Sequence, residues 1–184
     1  CWGYDFDHES IETQKLVDRV NRFWLTEYNI DGFRFDFTKG FTNKIGDGSA
    51  YDASRIAILK RMTDSIRAVK ENAVVIFEHL ANNTEEKELS DYGILLWGNI
   101  NYNYNEATMG YHESGKSDFS GISYLTRGWS DPHLVGYMES HDEERLMYKN
   151  QRWGNSNDSY DARRFSVAMG RTSRWSMGGS LSPG

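Results

Sequence analysis

The feature of this sequence that most restricts its fold is a set of short apolar runs that alternate with helix-like segments. Four runs are typical of strands: residues 30–36 (IDGFRFD), 73–77 (AVVIF), 92–99 (YGILLWGN) and 134–142 (LVGYMESHD). A continuous apolar run such as residues 73–77 is expected for a strand buried on both faces of a parallel sheet, where helices supply the crossover connections. The alternation predicts βαβ units and an α/β fold with a parallel sheet.

Helical periodicity fills the segments between these runs. From the candidate cap Ser10 to Tyr28, apolar residues recur in steps of three and four, which predicts a helix that packs one stripe on a core. A second helix is expected at residues 52–70, a short polar one near 84–90, and residues 116–128 are a further helical candidate. The two apolar stripes consist of Leu16, Val17, Val20, Phe23, Trp24 and Tyr28, and of Ile56, Leu59, Met62, Ile66 and Val69.

Composition argues against two classes of partner. The 184 residues carry a net charge of -6, whereas nucleic-acid-binding surfaces are basic, so we expect no nucleic acid partner. The longest apolar run, around residues 73–77, is far shorter than a membrane span, so we expect no membrane partner. The single cysteine, Cys1, forms no internal disulfide and indicates no cellular location, and the N-terminus indicates none either.

Acidic residues close three of the strand-like runs. Asp36 ends DGFRFD, Glu78 follows AVVIF, and Asp142 ends LVGYMESHD. Functional side chains in parallel α/β folds gather where strands finish, because the loops at those ends surround one crevice. Each carboxylate alone has a plainer explanation as a helix cap, but three in corresponding places predict one polar site.

The first strand separates its side chains by face. Its phenylalanines point to one side and Arg34 and Asp36 to the other, since strand side chains alternate. The arginine favours the ionised form of Asp36, whereas desolvation beside an apolar run raises the pKa of Glu78. One ionised and one protonated carboxyl group suit retaining glycoside hydrolysis, with Asp142 and His141 holding the sugar ring. The plainer alternative is a solvated face with a structural ion pair.

Three motifs carry a family resemblance. In this order, DGFRFD, VVIFEHL and YMESHDEER resemble the second, third and fourth conserved regions of the α-amylase family, glycoside hydrolase family 13. One motif alone is a weak signal, but three in order on predicted strand ends are specific. The resemblance covers residues 1–165. It implies a retaining hydrolase acting on α-1,4-glucans such as starch, glycogen and maltooligosaccharides.

The resemblance also implies a role for each matching residue. Asp36 corresponds to the nucleophile, Arg34 to the arginine that orients it, and Glu78 to the general acid/base. His141 and Asp142 correspond to the pair that binds the sugar ring in the transition state. These roles follow from the family pattern and stand beside the chemistry argued from the residues themselves.

The implied fold is a (β/α)8 TIM barrel that is incomplete, because the predicted strands correspond to the fourth to seventh of eight. Residues 1–170 are expected to form this partial barrel, and residues 171–184, which lack apolar periodicity, a flexible tail. The family's first conserved region, with its calcium-binding asparagine, would lie before Cys1. Calcium is therefore an expectation of the family alone, and no metal ligand is assigned.

Two positions depart from the usual family pattern. Lys39 matches a lysine that lines a leaving-group subsite in many members, but Gly40 stands where many amylases place a histidine. Ser140 replaces an asparagine, and residues 139–142 (ESHD) resemble α-glucan branching enzymes. A branching transglycosylase is therefore an alternative to the hydrolase. A catalytically silent α-glucan-binding or structural protein is the alternative of another class.

Aromatic residues follow the third strand-like run. Trp97 and Tyr102 are predicted to stack on glucose units, since planar rings suit sugar faces. Tyr104 and Tyr111 share the segment, and for all four rings packing in a core is the competing interpretation. The histidine next to the proposed acid, His79, is predicted to be structural.

Overall fold

Four parallel strands form one sheet, and helices lie between the strands along the chain. The computed structural model describes residues 5–155. The predicted α/β class with a parallel sheet is confirmed, and the predicted tail at residues 171–184 lies outside the described residues. In sheet order the strands are β1 (Gly32–Phe35), β2 (Val74–Phe77), β3 (Leu95–Asn99) and β4 (Leu134–Tyr137). The helices are α1 (Ile11–Glu27), α2 (Ala53–Val69), α3 (Asn83–Asp91), α4 (Asn101–Met109) and α5 (Leu146–Trp153).

Side-chain caps explain where two of the helices begin. At the start of α2, the Asp52 carboxylate accepts hydrogen bonds from the backbone N–H groups of Ser54 and Arg55. At the start of α3, the Asn82 side chain accepts one from the N–H of Thr84. These bonds satisfy N–H groups that the first turn of a helix leaves without a partner. Both helices lie where the sequence predicts them.

The described residues form two compact units. The first comprises residues 5–97 and 129–133, and the second comprises residues 98–128 and 134–155. In the first unit, four of the five residues in the predicted stripe of α2 are buried. Buried apolar side chains of this unit include Ile56, Leu59, Met62, Ile66, Val75, Phe77 and Leu89. Their removal from water is the main favourable contribution to the folding of this unit.

Strand β2 is buried on one face only. Val75 and Phe77 are 2% and 0% exposed, whereas Val74 is 44% exposed. The expectation that this run is buried on both faces is therefore wrong for the second face. Successive side chains of a strand point in opposite directions, so cover on one face buries alternate residues.

Helix α1 exposes most of its apolar stripe. Its buried residues are Asn21 and Leu25, and Asp18 Oδ2 pairs with Arg61 Nη1 of α2 at 2.8 Å. The prediction that the stripe packs on a core is wrong, because the helix meets α2 through this narrower and partly polar face. The exposed stripe residues are Leu16, Val20, Phe23, Trp24 and Tyr28.

A small apolar core holds the second unit together. Ile100, Tyr104 and Leu146 are buried in it, and Phe119 and Ile122 pack against them. Burial raises the pKa of the Tyr104 phenol to about 12, since the charged phenolate is disfavoured away from water. For Tyr104 the packing interpretation is therefore the one that the structure supports.

Two helices of the second unit were not predicted, and one helical candidate was wrong. The sequence of α4, NYNYNEATM, has no apolar stripe, and α5 follows an acidic motif that obscures its start. Residues 116–128 form turns and a single 3-10 turn at Ser120–Ile122. Gly115 and Gly128 take positive φ angles of 76° and 73°, which an α-helix does not accommodate.

Among residues 5–155, no helix combines the length and the apolar character that a membrane crossing requires.

Truncating a buried side chain of α2 should destabilise the first unit. We expect Leu59→Ala to lower the free energy of unfolding by about 2–5 kcal/mol, because Leu59 is 0% exposed and its loss leaves a cavity. Urea unfolding followed by circular dichroism measures the change. The control is Ile45→Ala at a fully exposed position. Its free energy of unfolding should stay within about 0.5 kcal/mol of the wild-type value. Equal effects of the two substitutions would contradict this core.

Candidate active site

The pairing of β1 with β2 brings Asp36 and Glu78 side by side. The two strands are parallel, and Phe35 lies opposite Phe77, so the residues that follow them leave the sheet at the same edge. The Glu78 N–H donates to the Phe35 carbonyl at 3.0 Å. The predicted meeting of these two carboxylates at neighbouring strand ends is therefore observed.

The two faces of β1 differ as the sequence predicts, except at its end. The rings of Phe33 and Phe35 lie 5.4 Å apart, and Phe35 contacts the Phe77 ring at 5.7 Å. Phe37 departs from the pattern, because its backbone is left-handed with a φ of 45° and its side chain is 51% exposed. A bulky residue rarely adopts this conformation, so the chain turns sharply just after Asp36.

Arg34 links both carboxyl groups. Its Nη1 pairs with Asp36, and its Nη2 lies 2.5 Å from Glu78 Oε2. The guanidinium carbon also lies 3.9 Å from the centroid of the Trp97 ring, within the range of a cation–π contact. Trp97, predicted to stack on substrate, therefore braces the arginine.

The environment of Glu78 favours its protonated form. Burial, then a hydrogen bond with the Asp36 carboxyl group, raises the pKa of Glu78 above its ordinary value. The Phe37 N–H, 3.3 Å from Glu78 Oε2, and the positive charge of Arg34 oppose this rise without cancelling it. The predicted rise in the pKa of Glu78 agrees with its burial, since its side chain is 8% exposed whereas that of Asp36 is 63% exposed.

An open cleft of about 710 Å³ lies next to Asp36. This volume is within the range of small-molecule sites, roughly 300–1,000 Å³. Its wall combines an exposed ring with charged groups of both signs, and Lys39 Nζ lies 5.4 Å from the centroid of the Phe37 ring. Lys39 and Asp36 thus line the same cleft. The lining residues are Asp5, Asp36, Phe37, Lys39, Gly40, Thr42, Lys44, Gly46, Asp47 and Gly48.

Gly40 makes room for the Phe37 ring. A Cβ atom at position 40 would lie 2.9 Å from Cδ1 of Phe37, closer than side-chain atoms approach one another. The absence of a side chain at Gly40 therefore leaves room for this ring to line the cleft. The sequence pattern gave no indication of this contact.

A buried polar network lies directly behind the two carboxylates. The His79 ring contacts Thr38 Oγ1 through Nδ1 at 2.9 Å and Glu85 Oε1 through Nε2 at 2.8 Å. Arg55 donates to the same carboxylate at 2.7 and 2.8 Å. All four residues are fully buried. We call Thr38, Arg55, His79 and Glu85 the buried network; its members other than His79 were missed, because their partners are distant in sequence.

The carboxylate of this network is held in its ionised form. Burial disfavours the charge on Glu85, but hydrogen bonds from His79, from Arg55 and from the Asp52 N–H lower its pKa from 4.5 to about 2. Each lone-pair direction of the carboxylate thus has a donor or a cation beside it. A buried charge is tolerated when its partners are this complete.

The second unit carries His141, Asp142 and Tyr102. His141 Nε2 lies 3.5 Å from Asp142 Oδ1, and both side chains are more than half exposed. Strand β4 ends at Tyr137, so the predicted strand at residues 134–142 is too long and Asp142 lies in the following turn. Tyr102 lies on α4 with 59% of its surface exposed.

No family model matches the sequence, and no curated protein is significantly similar to it. A functional assignment therefore depends on the motifs and on the geometry around Asp36 and Glu78.

Acid should weaken the buried network through Glu85. Its pKa is lower in the folded state, so its stabilising contribution is complete above pH 4.5 and is lost as the pH falls towards 2. We expect the difference in unfolding free energy between wild type and Glu85→Gln to narrow by about 3 kcal/mol over this range. Urea unfolding at a series of pH values measures it.

The control for this experiment is Glu71→Gln, which removes one exposed carboxylate and leaves the network intact. A constant difference between wild type and Glu85→Gln across the pH range would contradict the assignment of a low pKa to Glu85.

Proposed function

We propose that this chain carries the nucleophile and acid/base pair of a retaining glycoside hydrolase of the α-amylase type, acting on α-1,4-linked glucose polymers. The proposed scaffold is an incomplete (β/α)8 barrel in which β1 to β4 correspond to the fourth to seventh strands. The observation that carries the proposal is the Asp36–Glu78 pair, joined by Arg34 at neighbouring strand ends.

The distance between the two carboxyl groups favours a retaining mechanism. Carboxylate oxygens of Asp36 and Glu78 lie within 4.8 Å of one another, and the side chains are hydrogen-bonded. Retaining enzymes place these groups about 5–5.5 Å apart, whereas inverting enzymes need about 6.5–9.5 Å to admit a water. Because the two carboxyl groups are hydrogen-bonded to one another, a sugar must replace this bond when it binds.

The proposed reaction has two steps. An oxygen of Asp36 attacks the anomeric carbon, the glycosidic C–O bond breaks, and Glu78 gives its proton to the departing oxygen. Glu78, now ionised, takes a proton from water, whose oxygen attacks the same carbon and releases Asp36. The raised pKa of Glu78 suits a group that must donate in the first step and accept in the second.

Arg34 has a defined part in this reaction. By pairing with Asp36 it keeps the carboxylate oriented, and its contact with Trp97 restricts its own movement. The cleft lined by Phe37 and Lys39 offers an aromatic face and hydrogen-bonding groups to the leaving-group sugar. The assignment of His141 and Asp142 to ring binding comes from the resemblance alone.

A branching transglycosylase is the second candidate, because residues 139–142 read ESHD as in branching enzymes. Both reactions share the glycosyl-enzyme and differ in the acceptor, which is water or a glucan hydroxyl. A branching enzyme forms new branch linkages with little net rise in reducing ends, so product analysis separates the two.

Removing the nucleophile should abolish turnover. We expect Asp36→Asn to release no reducing ends from soluble starch while its thermal unfolding stays close to that of wild type, because Asp36 is largely exposed. The control is Asp31→Asn, which removes an exposed carboxylate from the opposite end of β1. Full activity in Asp36→Asn would rule out this residue as the nucleophile.

Removing the acid should affect substrates unequally. Glu78→Gln is expected to lower kcat/KM on starch by about 10²–10⁴-fold, because its amide cannot protonate the leaving oxygen. With an activated aryl α-glucoside, whose leaving group needs no proton, the rate of the glycosylation step should fall much less. Equal losses on the two substrates, measured by pre-steady-state product release, would count against Glu78 as the acid.

A further inference from the structure

Two turns meet behind the candidate active site. Thr38 comes two residues after Asp36, and His79 follows Glu78 directly. The Thr38 N–H donates to the Glu78 carbonyl at 2.9 Å, and the Thr38 hydroxyl lies 3.2 Å from the same oxygen. The hydroxyl also contacts the His79 ring. Thr38 thus connects the chain that follows one carboxylate to the chain that bears the other.

The two turns have strained backbones. Phe37 and Leu80 have positive φ angles of 45° and 50°, which residues with large side chains rarely adopt. Such conformations persist where the surrounding structure determines them more strongly than local preference does. Each strained residue is the immediate neighbour of a member of the buried network, Phe37 of Thr38 and Leu80 of His79.

The rest of the buried network anchors this connection to the helices. Glu85 in α3 fixes the His79 ring, and Arg55 in α2 fixes Glu85. Arg55 Nη1 also donates to the carbonyl of Lys39 at 2.5 Å and Nη2 to that of Ala50 at 2.9 Å. The loop after β1 is therefore held at both of its ends by one side chain.

Stability alone is a weak explanation for these buried charges. The desolvation free energy of a buried arginine and carboxylate offsets much of their electrostatic attraction. Apolar residues of similar volume are often as stabilising. What a hydrogen-bonded network supplies in addition is direction, because each donor and acceptor has a preferred geometry. The ionised Glu85 only accepts, so it places a proton on His79 Nε2 and orients the ring.

We propose that the buried network is a positioning device that sets the separation and orientation of Asp36 and Glu78 through Thr38 and His79. This inference rests on the proposed function for its catalytic meaning. None of the four side chains reaches the surface, so they are positioning residues and touch no substrate. In the proposed reaction Asp36 and Glu78 both act on the bound sugar. Small displacements of catalytic groups lower the reaction rate strongly.

Thr38→Val tests this inference, since valine keeps the shape of threonine and removes its hydroxyl. We expect kcat on starch to fall by about 10–10²-fold with little change in KM, because the carboxylates lose their relative placement. The pKa of Glu78, measured by ¹³C NMR of its carboxyl carbon, should fall towards the ordinary value as its burial and its bond to Asp36 loosen. Thr38→Ser, which restores the hydroxyl, should recover both quantities.

The matched control is Thr63→Val. Thr63 is also a fully buried threonine of the first unit, but its hydroxyl donates to the Leu59 carbonyl of its own helix at 2.9 Å. We expect it to lose a similar amount of stability with kcat and the pKa of Glu78 unchanged. Equal changes in both valine variants, or none in Thr38→Val, would overturn the proposal.

A second variant keeps the test decisive if Thr38→Val fails to fold. His79→Gln can donate to Glu85 but has no ring nitrogen facing Thr38, so it should lower kcat and the pKa of Glu78 in the same way. Unchanged values in His79→Gln would overturn the proposal.

The two proposals fail separately. If wild type releases no more reducing ends than Asp36→Asn does, the proposed function fails. The pKa of Glu78 in the network variants would still decide whether the buried network positions Glu78.

Discussion

The register between β1 and β2 is the constraint on which the candidate site depends. Because Phe35 lies opposite Phe77, Asp36 and Glu78 leave the sheet together and on the same face. A slip of one residue would send one of the two carboxylates to the helix-covered face. The buried Phe77 ring opposes such a slip, because it would have to exchange places with a charged group. Packing on one face of β2 therefore fixes where the two carboxyl groups lie on the other.

The charges of the first unit are arranged in two layers. At the strand ends, one cation, Arg34, faces two carboxyl groups, and burial together with the hydrogen bond to Asp36 raises the pKa of Glu78. Behind them, Arg55 and Glu85 form a balanced pair in which the carboxylate is ionised. The outer layer borders the open cleft, whereas the inner layer is fully buried and hydrogen-bonded. The two layers therefore differ both in charge balance and in access to water.

Local patterns in the sequence were sufficient for the approximate positions of the four strands, for α2 and α3, and for Asp36 and Glu78 at two of the strand ends. The α2 stripe and the position of Glu78 both depend on neighbours within a few residues. The buried network could not be predicted, because Arg55 and Glu85 meet only after two helices have packed. Periodicity gave the apolar face of α1 without showing whether anything covers it. It also did not reveal the left-handed backbone of Phe37, because the alternation of phenylalanines in the sequence includes Phe37 although the strand has already ended there.

The single crossover between β1 and β2 also bears on how the site would assemble during folding. Asp36 and Glu78 belong to one strand–helix–strand segment, so they reach their final register when that segment closes and need no longer-range strand pairing. Contacts separated by a short stretch of chain form faster than distant ones, because less loop entropy is lost. The β1–β2 pairing joins Gly32 to Val74, 42 residues apart, whereas the β2–β3 pairing joins Ile76 to Leu95, only 19 residues apart. The carboxylate pair would then reach its final register after β2 has paired with β3.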